Sequence, residues 1–215
     1  MAVLHTSTGV TSLAGLECFT GLTELSFDNG DITDLGPLAG LTGLTVLSFS
    51  NNLVTELAPL AGLVNLEELD VAYNPLIALA PLAGLPLRTL DASDTPAADL
   101  AGLGQVVSLE SLSLPGCGYQ DIGELAPLVN LTWLDLSDNQ TADISALAGM
   151  TALGKLWLDD NAIVDLAPLA GLAQLGELHL RTNAIVDLAP LAGLTQLTAL
   201  HLDHNAIVDL APSPA

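Results

Sequence analysis

The chain of 215 residues sets 25 acidic side chains against three Lys and Arg, a formal net charge of −22, and half of its residues are hydrophobic. So few cations exclude nucleic acid and anionic membrane as partners, because both require clustered Lys and Arg opposite phosphate. Asp, Glu, Asn or Pro interrupts every apolar run before about 18 residues, so no transmembrane helix is written. The charge keeps an aliphatic chain in solution and suits a partner with a basic protein surface.

The first stretch, MAVLHTSTGVTSLAGL, has no basic segment followed by a long apolar one, so no signal peptide is visible. Taken as a complete chain, it fits the cytoplasm. Residues 1–18 read as a degenerate half-repeat with Val10, Leu13 and Leu16 at core spacing. Cys18 and Cys117 lie between four and five repeats apart. At ~4.8 Å per stacked strand that is about 20 Å, beyond disulfide reach, and two thiols suit a reducing compartment.

From residue 19 a 22-residue phrase recurs, and NAIVDLAPLAGL stands unchanged at 161–172 and 183–194. Units begin at Phe19, Leu41, Leu63, Leu85, Val106, Leu128, Met150, Leu172 and Leu194; the fourth is one residue short and the ninth stops early. Counted from its first residue, each unit has apolar side chains at positions 1, 4, 7, 9, 14, 17 and 20, Asn at 12 and often Pro at 19. A fixed period with the pattern LxxLxLxxN is the signature of a leucine-rich repeat solenoid.

Within each unit, positions 5–9 alternate in and out, which predicts a short strand with one buried face. Asn52, Asn74, Asn139, Asn161, Asn183 and Asn205 follow these strands. A stacked Asn there satisfies backbone groups that the turn would otherwise bury unpaired. Gly30, Thr95 and Cys117 interrupt the ladder, and Cys117 reads as a small buried residue in an Asn slot. The return segment DLAPLAGL is too short for an α-helix, and its Pro and Gly predict a 3₁₀ turn or extended backbone. An acidic column precedes it: Asp34, Glu56, Asp99, Asp121, Asp143, Asp165, Asp187 and Asp209. These carboxylates are predicted to cap the N–H groups of their own turns; they lack the convergent oxygens a calcium ladder needs.

The unit LxxLxxLxLxxNxIxDLxPLAxL resembles the 22-residue repeat of bacterial internalins and of the phosphatase-regulator type. The best matches are LTQLTALHLDHNAIVDLAP at 194–212, LTWLDLSDNQTADISALAGM at 131–150, and the lead-in VTSLAGLECFTGLTEL at 10–25. The resemblance covers nearly the whole chain. It implies a mostly β, α/β-class solenoid, a right-handed arc with a parallel sheet lining a concave face and 3₁₀ or extended segments on the convex side. It also implies protein recognition through the concave face. Residues 1–215 are accordingly expected to form one repeat domain, with about nine units over 19–212 and a tail at 213–215. The internalin signal peptide, helical cap and immunoglobulin-like domain are missing from the sequence, so secretion and host-cell binding do not carry over.

Positions 6, 8 and 10 of the strands point out of the sheet. In the first units they are small or acidic. Every large or basic residue of these columns falls in the last four: Trp133, Lys155, Trp157, His179, Arg181 and His201, with Asp159 and Asp203 alongside and His204 at position 11. Trp and Arg are favoured at binding hot spots, so these eight strand residues are the candidate partner site, with drift on a tolerant surface as the bland reading. His179, His201, Asp159 and Asp203 also resemble a zinc set in type, but a flat sheet spreads such ligands apart. No nucleophile–base pair or phosphate-binding glycine loop is present, so no catalysis and no cofactor are expected. Two readings remain: a protein-binding module, or a structural spacer of a larger bacterial protein. The first half-unit and the final Asp209-Leu210-Ala211-Pro212 carry no polar cap, which favours a longer array or end-to-end self-association.

Overall fold

The structure, a computed structural model, describes residues 2–6, 9–96 and 100–209. They fall into two compact units, Met1–Leu109 and Glu110–Ala215. The first holds strands β1 (Ala2–His5), β2 (Leu22–Ser26), β3 (Val46–Ser48), β4 (Glu68–Asp70) and β5 (Thr89–Asp91). The second holds β6 (Ser111–Ser113), β7 (Trp133–Asp135), β8 (Lys155–Trp157), β9 (Glu177–His179) and β10 (Ala199–His201). Within each unit every strand pairs in parallel with the next. Register follows the repeat, so Leu25 faces Leu47, Leu47 faces Leu69, and Leu134 faces Leu156. This is the leucine-rich repeat solenoid fold, and 3₁₀ turns such as Ala58–Gly62 and Ala167–Leu169 carry the chain back from strand to strand.

The core is the periodic set. Leu128, Leu131, Leu134, Leu136, Ile144 and Leu147 of one unit are all at most 1% exposed. At roughly 2 kcal/mol for each buried aliphatic side chain, hydrophobic burial dominates the stability of every repeat. Each repeat then solves its own turn. Asn139 accepts the Tyr119 N–H at Oδ1, and its amide nitrogen donates to the carbonyls of Leu114 and Leu136. Asn52, Asn74, Asn161, Asn183 and Asn205 repeat this pattern. Gly30 takes the slot in the first unit because a Cβ there would meet the Val10 carbonyl at 2.6 Å and Asn52 Oδ1 at 2.8 Å.

Position 11, one residue earlier, is left-handed in every unit: Asn29, Asn51, Tyr73, Asp94, Asp138, Asp160, Thr182 and His204 have φ of 51–59° and Gly116 has 70°. Asn, Asp, His and Gly tolerate this conformation; Tyr73 and Thr182 are strained in it.

The acidic column caps as expected at Asp34, Asp121, Asp143, Asp165 and Asp187, each of whose Oδ1 accepts the N–H two residues on at 2.7–2.8 Å. Pro37, Pro59, Pro81, Pro168 and Pro190 sit at the start of these 3₁₀ turns, where the missing N–H costs no hydrogen bond. Asp99 lies outside the described residues. Among the described residues no helix is long and apolar enough to cross a membrane.

Three expectations need correction. Phe19, assigned to the core as a first position, is 59% exposed, because the half-unit before it stacks incompletely. Of Val10, Leu13 and Leu16 only Leu13 is fully buried. Cys117 is half-exposed, with its thiol on the Pro115 carbonyl; the left-handed glycines on either side, Gly116 and Gly118, reroute the turn so that it needs no buried side chain there. The half-unit also contributes a strand, β1, which the repeat pattern does not announce.

Candidate functional site

Strands β7 to β10 place the outward side chains of the last repeats in register, so Trp157 neighbours His179 and His179 neighbours His201. The result is a ladder of four rings. Trp133 and Trp157 meet edge to face with centroids 5.4 Å apart and planes at 80°. Trp157 and His179 follow at 5.3 Å, and His179 and His201 at 4.2 Å. Strand spacing alone gives about 4.8 Å, so the rings fill the row without a gap. Both indoles are therefore half-buried rather than fully exposed, each covering its neighbour. The T-shaped geometry is favoured by the ring quadrupoles. The Trp157 Nε1 atom is buried with no hydrogen-bond partner.

Charges run beside the rings. Lys155 Nζ bonds Glu177 Oε2 at 3.0 Å, and Glu177 Oε1 lies 3.0 Å from His179 Nε2. The other face of that imidazole, Nδ1, is 3.5 Å from Asp159 Oδ2, while Asp159 Oδ1 accepts the Arg181 backbone N–H at 2.6 Å. The Arg181 guanidinium donates from Nη2 to His201 Nδ1 at 2.7 Å and from Nε to Asp203 Oδ2 at 3.1 Å. All eight residues picked from the sequence thus lie on one face and in one connected network.

Glu177, which the sequence reading passed over, is its hinge: hydrogen bonds from Lys155 and His179 hold its carboxyl below the usual range. The signal was present, an acid at position 6 directly across from Lys155. Asp135 was also missed. It is 7% exposed, burial pushes its carboxyl up against the opposing bonds from Ser137, and the nearby Asp159 and Asp138 charges push the same way.

The carboxylates approach His179 from opposite ring edges, so they do not converge on one point with His201. Among the described residues no group of three or more His, Cys, Asp or Glu side chains is arranged to hold a metal. The face offers aromatic area bounded by paired charges, an arrangement that suits contact with another macromolecule.

A contrasting face lies on β2 to β5. Asp28 accepts Ser26 and Ser48 hydroxyls and the Ser50 N–H. Burial raises its carboxyl, but these bonds outweigh it and leave it lowered. Asp70 is raised, by burial first and by repulsion from Asp91 and Asp28, against the Ala72 N–H bond.

The fold and this repeat geometry define a leucine-rich repeat protein. Residues 42–84 and 129–171 match the family model described as Leucine Rich repeats (2 copies). An internalin (inlF) from Listeria monocytogenes strain 4b F2365 superposes with a TM-score of 0.78 at 30% identity, covering 97% of this chain and 68% of that one. Internalin C2 (inlC2) of the same strain gives a TM-score of 0.65 at 32% identity, over 90% of this chain and 76% of its own. The ectodomain of the Arabidopsis thaliana receptor kinase GASSHO1/SCHENGEN3, solved with CASPARIAN STRIP INTEGRITY FACTOR 2, shares the fold: TM-score 0.70, 23% identity, 94% of this chain and 27% of that one. No curated protein sequence matches. The chain belongs to the internalin-like leucine-rich repeat family.

Proposed function

We propose that this chain is a non-enzymatic protein-binding module whose partner docks on the sheet face formed by β7 to β10. Leucine-rich repeat domains commonly mediate protein binding, and the receptor ectodomain above was solved with a bound factor. The observation that carries the reading is the ring ladder from Trp133 to His201. Scaffold stability needs nothing aromatic at these outward positions, since the equivalent places on β3 are Val46 and Ser48. Half-buried Trp ringed by polar groups is the make-up of a binding hot spot. With a net charge of −22, the fitting partner presents a basic protein surface.

The spacer reading has one observation in its favour: Lys155, His179 and Arg181 are already paired within the chain, so none of them requires a partner. The two readings separate by capture experiments with Trp133→Ala and Trp157→Ala, singly and together. A partner captured by the wild type and lost by the double variant, with unchanged circular dichroism, supports the module. Capture that survives both substitutions, or no specific partner at all, favours the spacer.

A further inference from the structure

The first full repeat makes two demands on neighbouring residues. Position 11 needs a left-handed backbone, and Asn29 meets it at φ 59°. Position 12 has no room for a side chain, because a Cβ would meet the Val10 carbonyl at 2.6 Å and Asn52 Oδ1 at 2.8 Å, so Gly30 fills it. Together they write the dipeptide Asn-Gly, which occurs nowhere else in the chain. In Asn-Gly the glycine nitrogen can reach the asparagine side-chain amide carbon. No Cβ stands in its way, and glycine has the backbone freedom for the approach.

The surroundings favour that reaction. Asn29 is exposed, and among the described residues the Gly30 N–H donates to no group, so no hydrogen bond must break before the nitrogen attacks. Asn51 Nδ2 donates to Asn29 Oδ1 at 2.9 Å. Negative charge develops on this oxygen when the amide carbon is attacked, and a donor already aimed at it stabilises that charge. The half-unit before this turn stacks incompletely, with Phe19 59% exposed, and weakly packed ends are where local opening is easiest.

We propose that Asn29 is a site of spontaneous deamidation, and that its isoaspartyl product unlatches the N-terminal half-unit. The Gly30 nitrogen forms a bond to Asn29 Cγ as the Cγ–Nδ2 bond breaks. Its proton passes through water to the departing nitrogen, which leaves as ammonia, and a succinimide ring remains. Water then adds to one of the two ring carbonyls and the C–N bond there breaks. Opening at Cγ leaves aspartate; opening at the backbone carbonyl leaves isoaspartate, with the main chain routed through Cβ and Cγ. The isoaspartyl link lengthens the main chain by one carbon where there is no slack. The Asn29 N–H is held on the Ser50 carbonyl at 2.9 Å and the Asp31 N–H on the Val10 carbonyl at 3.0 Å. The added carbon displaces Asp31 and breaks its bond to Val10, which ties the half-unit to the first full repeat.

Asn51 is the internal control. It is exposed and left-handed at φ 53° in the same slot of the next repeat. Its successor, however, is Asn52, whose side chain is held by the carbonyls of Phe27, Phe49 and Ser50. The native protein is incubated at mildly alkaline pH, and tandem mass spectrometry then follows the gain of one mass unit at each asparagine. Asn29 is expected to convert at least roughly tenfold faster than Asn51, with isoaspartate among its products. Equal rates at the two positions, or an Asn29 that stays unchanged, would overturn the assignment.

Each product carries one added negative charge, so anion exchange separates modified from intact wild-type chains of the same sample. Limited proteolysis should cut the isoaspartyl fraction before residue 29 several-fold faster than the intact one; equal cutting contradicts the unlatching. Asn29→Gln, whose longer side chain closes the ring far more slowly, should remove both the mass gain at this position and the age-dependent cutting. Should that variant alter the circular dichroism, the comparison of the two wild-type fractions decides.

Discussion

The side-chain oxygen of Asn139 accepts the Tyr119 N–H of the preceding repeat at 2.9 Å, and its amide donates back to the Leu114 carbonyl at 2.9 Å. One side chain thus bonds two backbone groups of a neighbouring repeat and, through Leu136 and Ser137, two of its own. Asn139→Ala removes this partner from the Tyr119 N–H and the Leu114 carbonyl, both in buried surroundings, whereas the Leu136 carbonyl keeps the Asn161 amide. With roughly 1–3 kcal/mol for each buried unsatisfied group, the expected loss is about 3 kcal/mol. Asn205→Ala strips the same pattern from a half-exposed site, where water substitutes, and should cost under about 1 kcal/mol. Urea unfolding of the two variants checks the contrast; equal losses would contradict it.

Thr182 occupies a left-handed position at φ 51° that a β-branched residue resists. The same slot is Asn in two earlier repeats, at Asn29 and Asn51. Thr182→Asn should raise stability by about 1 kcal/mol, read as a shift in the urea midpoint without a change of slope. A destabilised variant would mean that the methyl or hydroxyl contributes packing beyond the strain it carries.

The repeat pattern makes the core, the Asn ladder and the Asp-capped turns readable from the sequence, because each is set by residues at fixed spacing within one unit. The left-handed turn was not legible. It is a property of backbone position 11, and the sequence fills that slot with Asn, Asp, Tyr, Thr, His and Gly alike. Strand β1 was hidden for a related reason: AVLH lacks the Leu spacing and is recruited by pairing with β2. The structure brings the candidate residues together on one face, as their column positions predict, yet their pairings were not legible. Whether Lys155 reaches Glu177, and Arg181 reaches His201, depends on how long side chains run diagonally across strands, which residue spacing does not encode.

Asp28 and Asp135 are expected to respond to pH in opposite ways. Hydrogen bonds from Ser48, Ser26 and Ser50 overcome burial and lower the Asp28 carboxyl. A lowered folded-state value contributes stability at neutral pH that is lost as acid titrates the group. Burial raises Asp135, so its ionised form disfavours the folded state at neutral pH and the penalty fades on acidification. Asp28→Asn should therefore lower the neutral-pH melting temperature and Asp135→Asn should raise it. Both differences should shrink as the pH falls into the carboxyl range. Thermal unfolding at a series of pH values reads this directly, and shifts of the same sign would refute it.

Asp165 accepts the Ala167 N–H at 2.8 Å from an exposed position. Removing such a cap typically costs about 1 kcal/mol. Asp165→Ala should lose that amount while Asp165→Asn retains most of it, because the acceptor oxygen survives. If both variants lose equally, the charge at this position matters more than the hydrogen bond.

The claim that β7 to β10 form the docking surface is tested most directly by the emission of Trp133 and Trp157, the only tryptophans in the chain, as a captured partner is titrated in. Docking on this face should shift the emission to shorter wavelength and protect it from acrylamide quenching, saturating at the same concentration as binding measured by calorimetry. A partner that binds in the calorimeter while emission and quenching stay unchanged would place the interface elsewhere on the molecule.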